Sequence, residues 1–217
     1  MEFLNPHVAC EKLIKALRGN GISDERILDA FRKVPRHLFV DGAMYAQAYD
    51  DNALPIGFGQ TISQPTIVAL MTQLLGLRKD EKVLEIGTGS GFQTAILAQF
   101  TRRIYTIENI GDLSVAARRR LREMGYQNIV FRHGDGSLGW AQHAPYARIL
   151  VAAAAPVVPE ALCEQLEVGG RMVIPVGDRK QQELVIYDRT EKGFEKRSAG
   201  TVVFVPLLGK QGWQKEE

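Results

Sequence analysis

Glu85, the run Gly87-Thr88-Gly89-Ser90-Gly91 and Glu108 are residue types, at spacings, that suit the grip on a nucleotide-like cofactor. Glycines let the backbone take positive φ and let a ligand approach without meeting Cβ atoms, and a helix beginning just after them offers unpaired N–H groups. The spacing is G-x-G-x-G, whereas dinucleotide sites use G-x-G-x-x-G to seat a pyrophosphate on the helix start. Glu85 stands just before the loop. A carboxylate there repels a pyrophosphate but accepts hydrogen bonds from a cationic amino-acid moiety, which favours S-adenosylmethionine over NAD. Glu108 follows the first glycine by about twenty residues, the distance at which a doubly wound fold places an acid on ribose hydroxyls. Its two oxygens can accept from both hydroxyls of a cis-diol. The plainer alternatives are a simple strand-to-helix turn for the loop and a solvated strand-end acid for Glu108.

Other chemistry-bearing residues are less informative. Cys10 and Cys163 have no C-x-x-C spacing, and His7, His37, His133 and His143 lack the i, i+4 pairing of metal-binding helices, so ordinary thiols and no metal are expected. The net charge of +2, from 27 Lys plus Arg against 25 Asp plus Glu, gives no broad electrostatic argument for nucleic acid. Arg118-Arg119-Arg120 reads as a solvated helix face. Ser63-Gln64-Pro65 reads as a helix start, with Ser63 as its cap and proline in the first turn. No secretory signal or membrane-length apolar run is visible, which sets a cytoplasmic expectation with no membrane partner.

The elements that must position these residues alternate. An apolar run at Val83, Leu84 and Ile86 predicts a buried parallel strand before the loop, and residues 93–100 predict the helix after it. Strands are expected over 103–107, 128–132, 148–153 and 171–175, with helices over 112–124 and 159–166, the last closed by Gly169-Gly170. Residues 182–188 and 201–207 predict an antiparallel pair at the sheet edge, turned at Gly193. Upstream, residues 7–17, 24–33 and 66–75 are helical in pattern, and residues 50–65 form a turn-rich, polar loop that also holds apolar Leu54, Ile56, Phe58 and Ile62, as packed, functional loops do. The fold class expected is α/β, a doubly wound Rossmann-like sheet with an N-terminal helical cap and an antiparallel C-terminal edge. The 217 residues fit one domain: a cap over 1–80, a cofactor core over 81–177, and edge strands and tail over 178–217.

Several blocks carry a narrower resemblance: PRHLFV at 35–40, FGQTISQPTIVALMTQLL at 58–75, GDGSLGW at 134–140, the run from Ala152 to Gly177, and FVPL at 204–207. With the glycine loop they resemble, in the right order, the protein-L-isoaspartate O-methyltransferase family, within the Rossmann-like S-adenosylmethionine-dependent methyltransferases. The resemblance implies repair of isoaspartyl-containing proteins and peptides: a methyl group passes to the α-carboxylate of an L-isoaspartyl residue, and the ester converts through a succinimide to aspartate. It implies Ser63 as the catalytic-site residue orienting that carboxylate. Ile62, Glu85, Gly87, Thr88, Gly89, Ser90, Gly91, Glu108, Asp135 and Gly136 become the cofactor residues, with Asp135 and Gly136 at the adenine edge. Ser63, Val205, Pro206 and Leu207 become the substrate contacts. A monomer is expected.

The chain departs from the family at Ala147 and Ala152, where the family has an acid and a hydroxyl. A working enzyme is still expected, since Ser63 and the loop remain. Two rival readings are another small-molecule or RNA methyltransferase, which the GQTISQP block opposes, and a noncatalytic S-adenosylmethionine-binding module, for which only the two alanines speak.

Overall fold

The computed structural model describes residues 5–214. Helix α1 (Pro6–Gly19) starts where the Asn5 side chain accepts from the N–H groups of His7 and Val8, and α2 (Glu25–Lys33) starts where Asp24 accepts from that of Arg26. Residues 50–65, expected as a loop, contain a short hairpin of β1 (Leu54–Gly57) and β2 (Gln60–Ile62), whose alternation is too brief to read in one dimension. Helix α3 (Pro65–Leu75) then leads into β3 (Lys82–Ile86), α4 (Phe92–Leu97), β4 (Arg103–Glu108), α5 (Gly111–Glu123) and β5 (Ile129–His133). The chain continues through β6 (Tyr146–Val151), α6 (Glu160–Gln165), β7 (Leu166–Gly177), β8 (Gln182–Thr190) and β9 (Gly193–Val202).

Strands β3 to β9 make one seven-stranded sheet in the order β5-β4-β3-β6-β7-β8-β9. From β5 through β7 neighbours are parallel, and β8 and β9 add antiparallel at one edge. The chain leaves β3 toward β4 and β5 on one side and returns to β6 on the other. The carboxyl ends of β3 and β6 therefore flank a topological switch point, the place where open α/β sheets bind ligands. One sheet face packs Leu84, Ile86, Ile149, Val151 and Met172 with Leu162 of α6. The other packs Val83, Ile104, Leu150 and Val173 against Met71 and Leu75 of α3. A third cluster joins α1 and α2 to α3 and α4 through Leu13, Ile14, Leu17, Ile27, Phe31, Val68 and Phe92.

Two sequence expectations shift. Gly169-Gly170 do not close a helix: α6 ends at Gln165, and the glycines lie inside β7. There the pairing slips between Tyr146↔Leu166 and Arg148↔Arg171, so the pair serves a bulge, where extra residues must leave the ladder. The last strand runs over β9 and not over 201–207. Glu191 and Lys192 form a tight turn closed by the Thr190↔Gly193 pair, so pairing begins as soon as the turn is made. Residues 203–207 lie beyond the ladder, tied to the core by the Ala154↔Pro206 bridge.

Candidate active site

At the switch point lies an open cavity, bounded by the loop after β3, by Glu108 to Ile110 and by the Gln60 to Ser63 segment. The loop after β3 forms its floor. Gly87, Gly89 and Gly91 all have positive φ, and Gly91 (φ 89°) is the N-cap of α4. A Cβ on Gly91 would sit 2.9 Å from Leu121 Cδ1, so glycine is also what allows α4 and α5 to close together. Gly87, Thr88, Gly89 and Ser90 line the cavity, while Gly91 acts from behind as the helix start.

Glu108 ends β4 on the cavity wall. Its Oε2 accepts from Gly89 N–H at 2.8 Å and its Oε1 from Ile110 N–H at 2.9 Å. Each oxygen keeps a further acceptor site, so the carboxylate is fixed in place with capacity to spare for a diol. Asn109, Ile110 and Leu113 line the same wall. Sequence reading passed over them because nothing in their types marks a ligand contact, though their place just after an acid-ended strand is a usable signal.

Glu85 sits elsewhere than the loop sequence implied. It is wholly buried, off the cavity wall, under the loop. Oε2 accepts from the hydroxyls of Thr94 at 2.6 Å and Thr106 at 2.7 Å, and Oε1 has no partner among the described residues. Because the Thr106 hydroxyl spends its proton on Glu85, the 2.6 Å contact between Thr88 and Thr106 must have Thr88 donating. Burial pushes the Glu85 carboxyl up to about 7, against the two hydroxyl bonds that favour its charge, and the nearby Glu108 charge adds to the rise.

Ser63 lies between β2 and α3, on the wall of the cavity and also of an adjoining groove lined by Thr61, Gln64, Ala152, Gln181, Val203 and Val205. It is not the cap of α3. That position belongs to Gln64, and the helix's free N–H at Thr66 goes to Asp51 Oδ1 at 2.8 Å. The Ser63 main-chain oxygen instead accepts from Arg36 at 2.8 Å. Arg36 is buried and also donates to Ala48 O and Asn52 O. Its role escaped the sequence reading, although it sits in the PRHLFV block.

Ile62, Gly136, Val205, Pro206 and Leu207 line the cavity with Ser63, so the structure brings the expected cofactor and substrate residues to one place. Asp135 is the other exception: its carboxylate turns to the main chain near the C-terminus, accepting from Lys210 N–H at 2.8 Å, and to the Ser137 N–H and hydroxyl. Of the two departures, Ala152 lines both the cavity and the groove, while Ala147 is buried in β6.

The family model for protein-L-isoaspartate(D-aspartate) O-methyltransferase matches residues 8–212. The chain belongs to that family. The protein-L-isoaspartate O-methyltransferase of Dictyoglomus thermophilum is 53% identical over 205 residues, covering 94% of this chain and 92% of that one. A solved protein-L-isoaspartate O-methyltransferase superposes with a TM-score of 0.85 at 28% identity, over 94% of this chain and 67% of the other. A Plasmodium falciparum structure described as a protein-L-isoaspartate O-methyltransferase in complex with S-adenosyl-L-homocysteine shares the fold, at TM-score 0.82 and 23% identity, over 94% of this chain and 99% of that one. These matches agree with the expected Rossmann-like methyltransferase fold, down to the antiparallel strands at its edge. Among the described residues, no helix is long and apolar enough to cross a membrane.

Proposed function

We propose that the cavity at the switch point holds S-adenosylmethionine with its reacting end toward Ser63, and that the adjoining groove receives the damaged peptide. The chain is an S-adenosylmethionine-dependent protein-L-isoaspartate O-methyltransferase, acting on isoaspartyl residues of damaged proteins. The observation carrying the site assignment is that Ser63 belongs to the walls of both spaces, together with Thr61, Ala152 and Val205. A transfer between two bound molecules needs such a junction.

The chain's residues fit the cofactor. A glycine floor leaves room against the backbone, a preset Glu108 offers acceptors for the ribose, and Glu85 supplies negative potential from below. When bound, the cofactor supplies an electrophilic methyl group on its sulfonium. A substrate carboxylate, with an unperturbed pKa of roughly 4, is already ionised at neutral pH, so no general base is called for. What the chain must do is align: Ser63 donates a hydrogen bond to the carboxylate without neutralising it, and Val205, Pro206 and Leu207 wall the peptide. Positioning of this kind is worth up to roughly 7 to 11 kcal/mol. Every group named comes from one chain, so a monomer suffices, and the near-neutral charge suits peptides over nucleic acid. A cytoplasmic address fits, since the cofactor is at hand there.

The test is transfer of labelled methyl from S-adenosylmethionine to an isoaspartyl peptide, with the matching aspartyl peptide as control. Label on the isoaspartyl peptide alone supports the reading. Label on neither, with the cofactor bound, supports the noncatalytic binder instead.

A further inference from the structure

Residues 209–214 fold back as a hook on the cavity wall that precedes them. Gly209 N–H donates to Trp213 O at 3.1 Å, and Trp213 N–H returns to Leu207 O at 2.7 Å. The hook is held from outside by one turn. Lys210 N–H donates to Asp135 Oδ2 at 2.8 Å, and Gln211 N–H donates to Ser137 Oγ at 3.0 Å. Ser137, wholly buried, gives its own hydroxyl proton to Asp135 Oδ1 at 2.7 Å, which leaves its oxygen free to accept from Gln211. Each donor and acceptor in the clamp thus has a fixed direction. The approach is close: a Cβ on Gly209 would lie 2.0 Å from Asp135 Oδ1 and 2.5 Å from Ser137 Oγ.

The clamp joins two sides of the cavity. Gly136, between Asp135 and Ser137, is on the cavity wall, and so are Leu207 and Leu208, just before the hook. Residues 203–208 lie beyond the last strand, where the single Ala154↔Pro206 bridge, with Ala154 N–H donating to Val205 O and Leu207 N–H to Ala154 O, both at 2.8 Å, takes the place of a ladder, and Leu208 lies past it. We infer that Asp135 and Ser137 are positioning residues: through the hook they set the Leu207-Leu208 wall against the cofactor-side turn, and so govern how well peptide is held. This rests on the proposed function, with the peptide on the Val205 to Leu207 side.

Two variants test it from opposite ends. Asp135→Asn keeps shape but places an NH₂ against either Lys210 N–H or the Ser137 donors, whichever way the amide turns. Gly209→Ala keeps the carboxylate and pushes the hook away from it. Both are expected to raise the KM for isoaspartyl peptide about tenfold, as for one lost charge-assisted hydrogen bond, with kcat changing less. Amide exchange at Lys210 and Gln211 should accelerate while that of the central strands stays as in the native chain, and Asp135→Asn combined with Gly209→Ala should do little more than either alone. Gly209→Ala should leave S-adenosylhomocysteine affinity unchanged by calorimetry. An unaltered peptide KM in Gly209→Ala, or a loss in Asp135→Asn confined to S-adenosylhomocysteine affinity, overturns the inference. A native chain that methylates no isoaspartyl peptide overturns the functional reading instead. The clamp is then judged by exchange alone, and unchanged rates at Lys210 and Gln211 in both variants sink it.

Discussion

Arg36 Nη2 donates to the Ser63 main-chain oxygen at 2.8 Å while the same guanidinium lies 4.8 Å from the centroid of the Phe92 ring. Phe92 opens the helix that follows the glycine loop, so one buried side chain touches both the Ser63 segment and the cofactor side. Burial pulls this guanidinium down to about 9, with Asp51 and Tyr49 opposing the fall. A lysine ammonium is a point charge that cannot span three carbonyls. Arg36→Lys is therefore expected to cost about 1 to 3 kcal/mol of stability and to lower kcat more than S-adenosylhomocysteine affinity, as read by thermal melts, kinetics and calorimetry. Equal losses in both would assign Arg36 to the fold alone.

Glu108→Gln should weaken S-adenosylmethionine binding by about 1.5 to 3 kcal/mol, roughly tenfold to a hundredfold. The carboxylate holds the Gly89 and Ile110 N–H groups while facing the cavity, and an amide turns one acceptor into a donor. Calorimetry checks this, and an unchanged dissociation constant would remove Glu108 from the site.

Ser63→Ala should lower turnover on isoaspartyl peptide more than it lowers cofactor affinity, because the lost bond belongs to the reacting carboxylate. Since Gln64 and not Ser63 is the N-cap of α3, the melting temperature should hardly move. A collapse of cofactor binding with saturated turnover intact contradicts the assignment.

The raised Glu85 carboxyl gives a pH signature. Between about 4.5, its ordinary value, and about 7 in the fold, the folded chain keeps a proton that the unfolded chain has released. The folded state binds more protons there, so this group's contribution to stability is full below about 4.5 and falls as pH rises toward 7. Glu85→Gln should remove that slope from melts taken across the window, and should also weaken cofactor binding by removing negative potential under the loop. A slope that persists in the variant assigns it to another group.

The two alanines divide. Ala152→Thr should be tolerated, because Ala152 is only partly buried and lines the junction of cavity and groove. Ala147→Asp should lower stability by about 1 to 3 kcal/mol, since Ala147 is buried and a carboxylate there would give up its hydration. Thermal melts of the single variants separate them. A rise in stability for Ala147→Asp would mean that the chain still carries the partners of the family's acid.

What the sequence determined by itself is what short-range rules govern. Helix α2 with its Asp24 cap, strand β3, the positive-φ glycines and Glu108 at the next strand end all follow from periodicity, capping and spacing, because each depends on residues within a turn or one βα unit. Tertiary structure decided the rest. Glu85 went beneath the loop because its hydroxyl partners, Thr94 and Thr106, come from a helix and a neighbouring strand. Asp135 found its partner Lys210 75 positions away, and Arg36 found Ser63 27 positions away. Contacts at such separations depend on how the sheet brings distant loops together at its carboxyl ends, and no local pattern of residue types records that geometry.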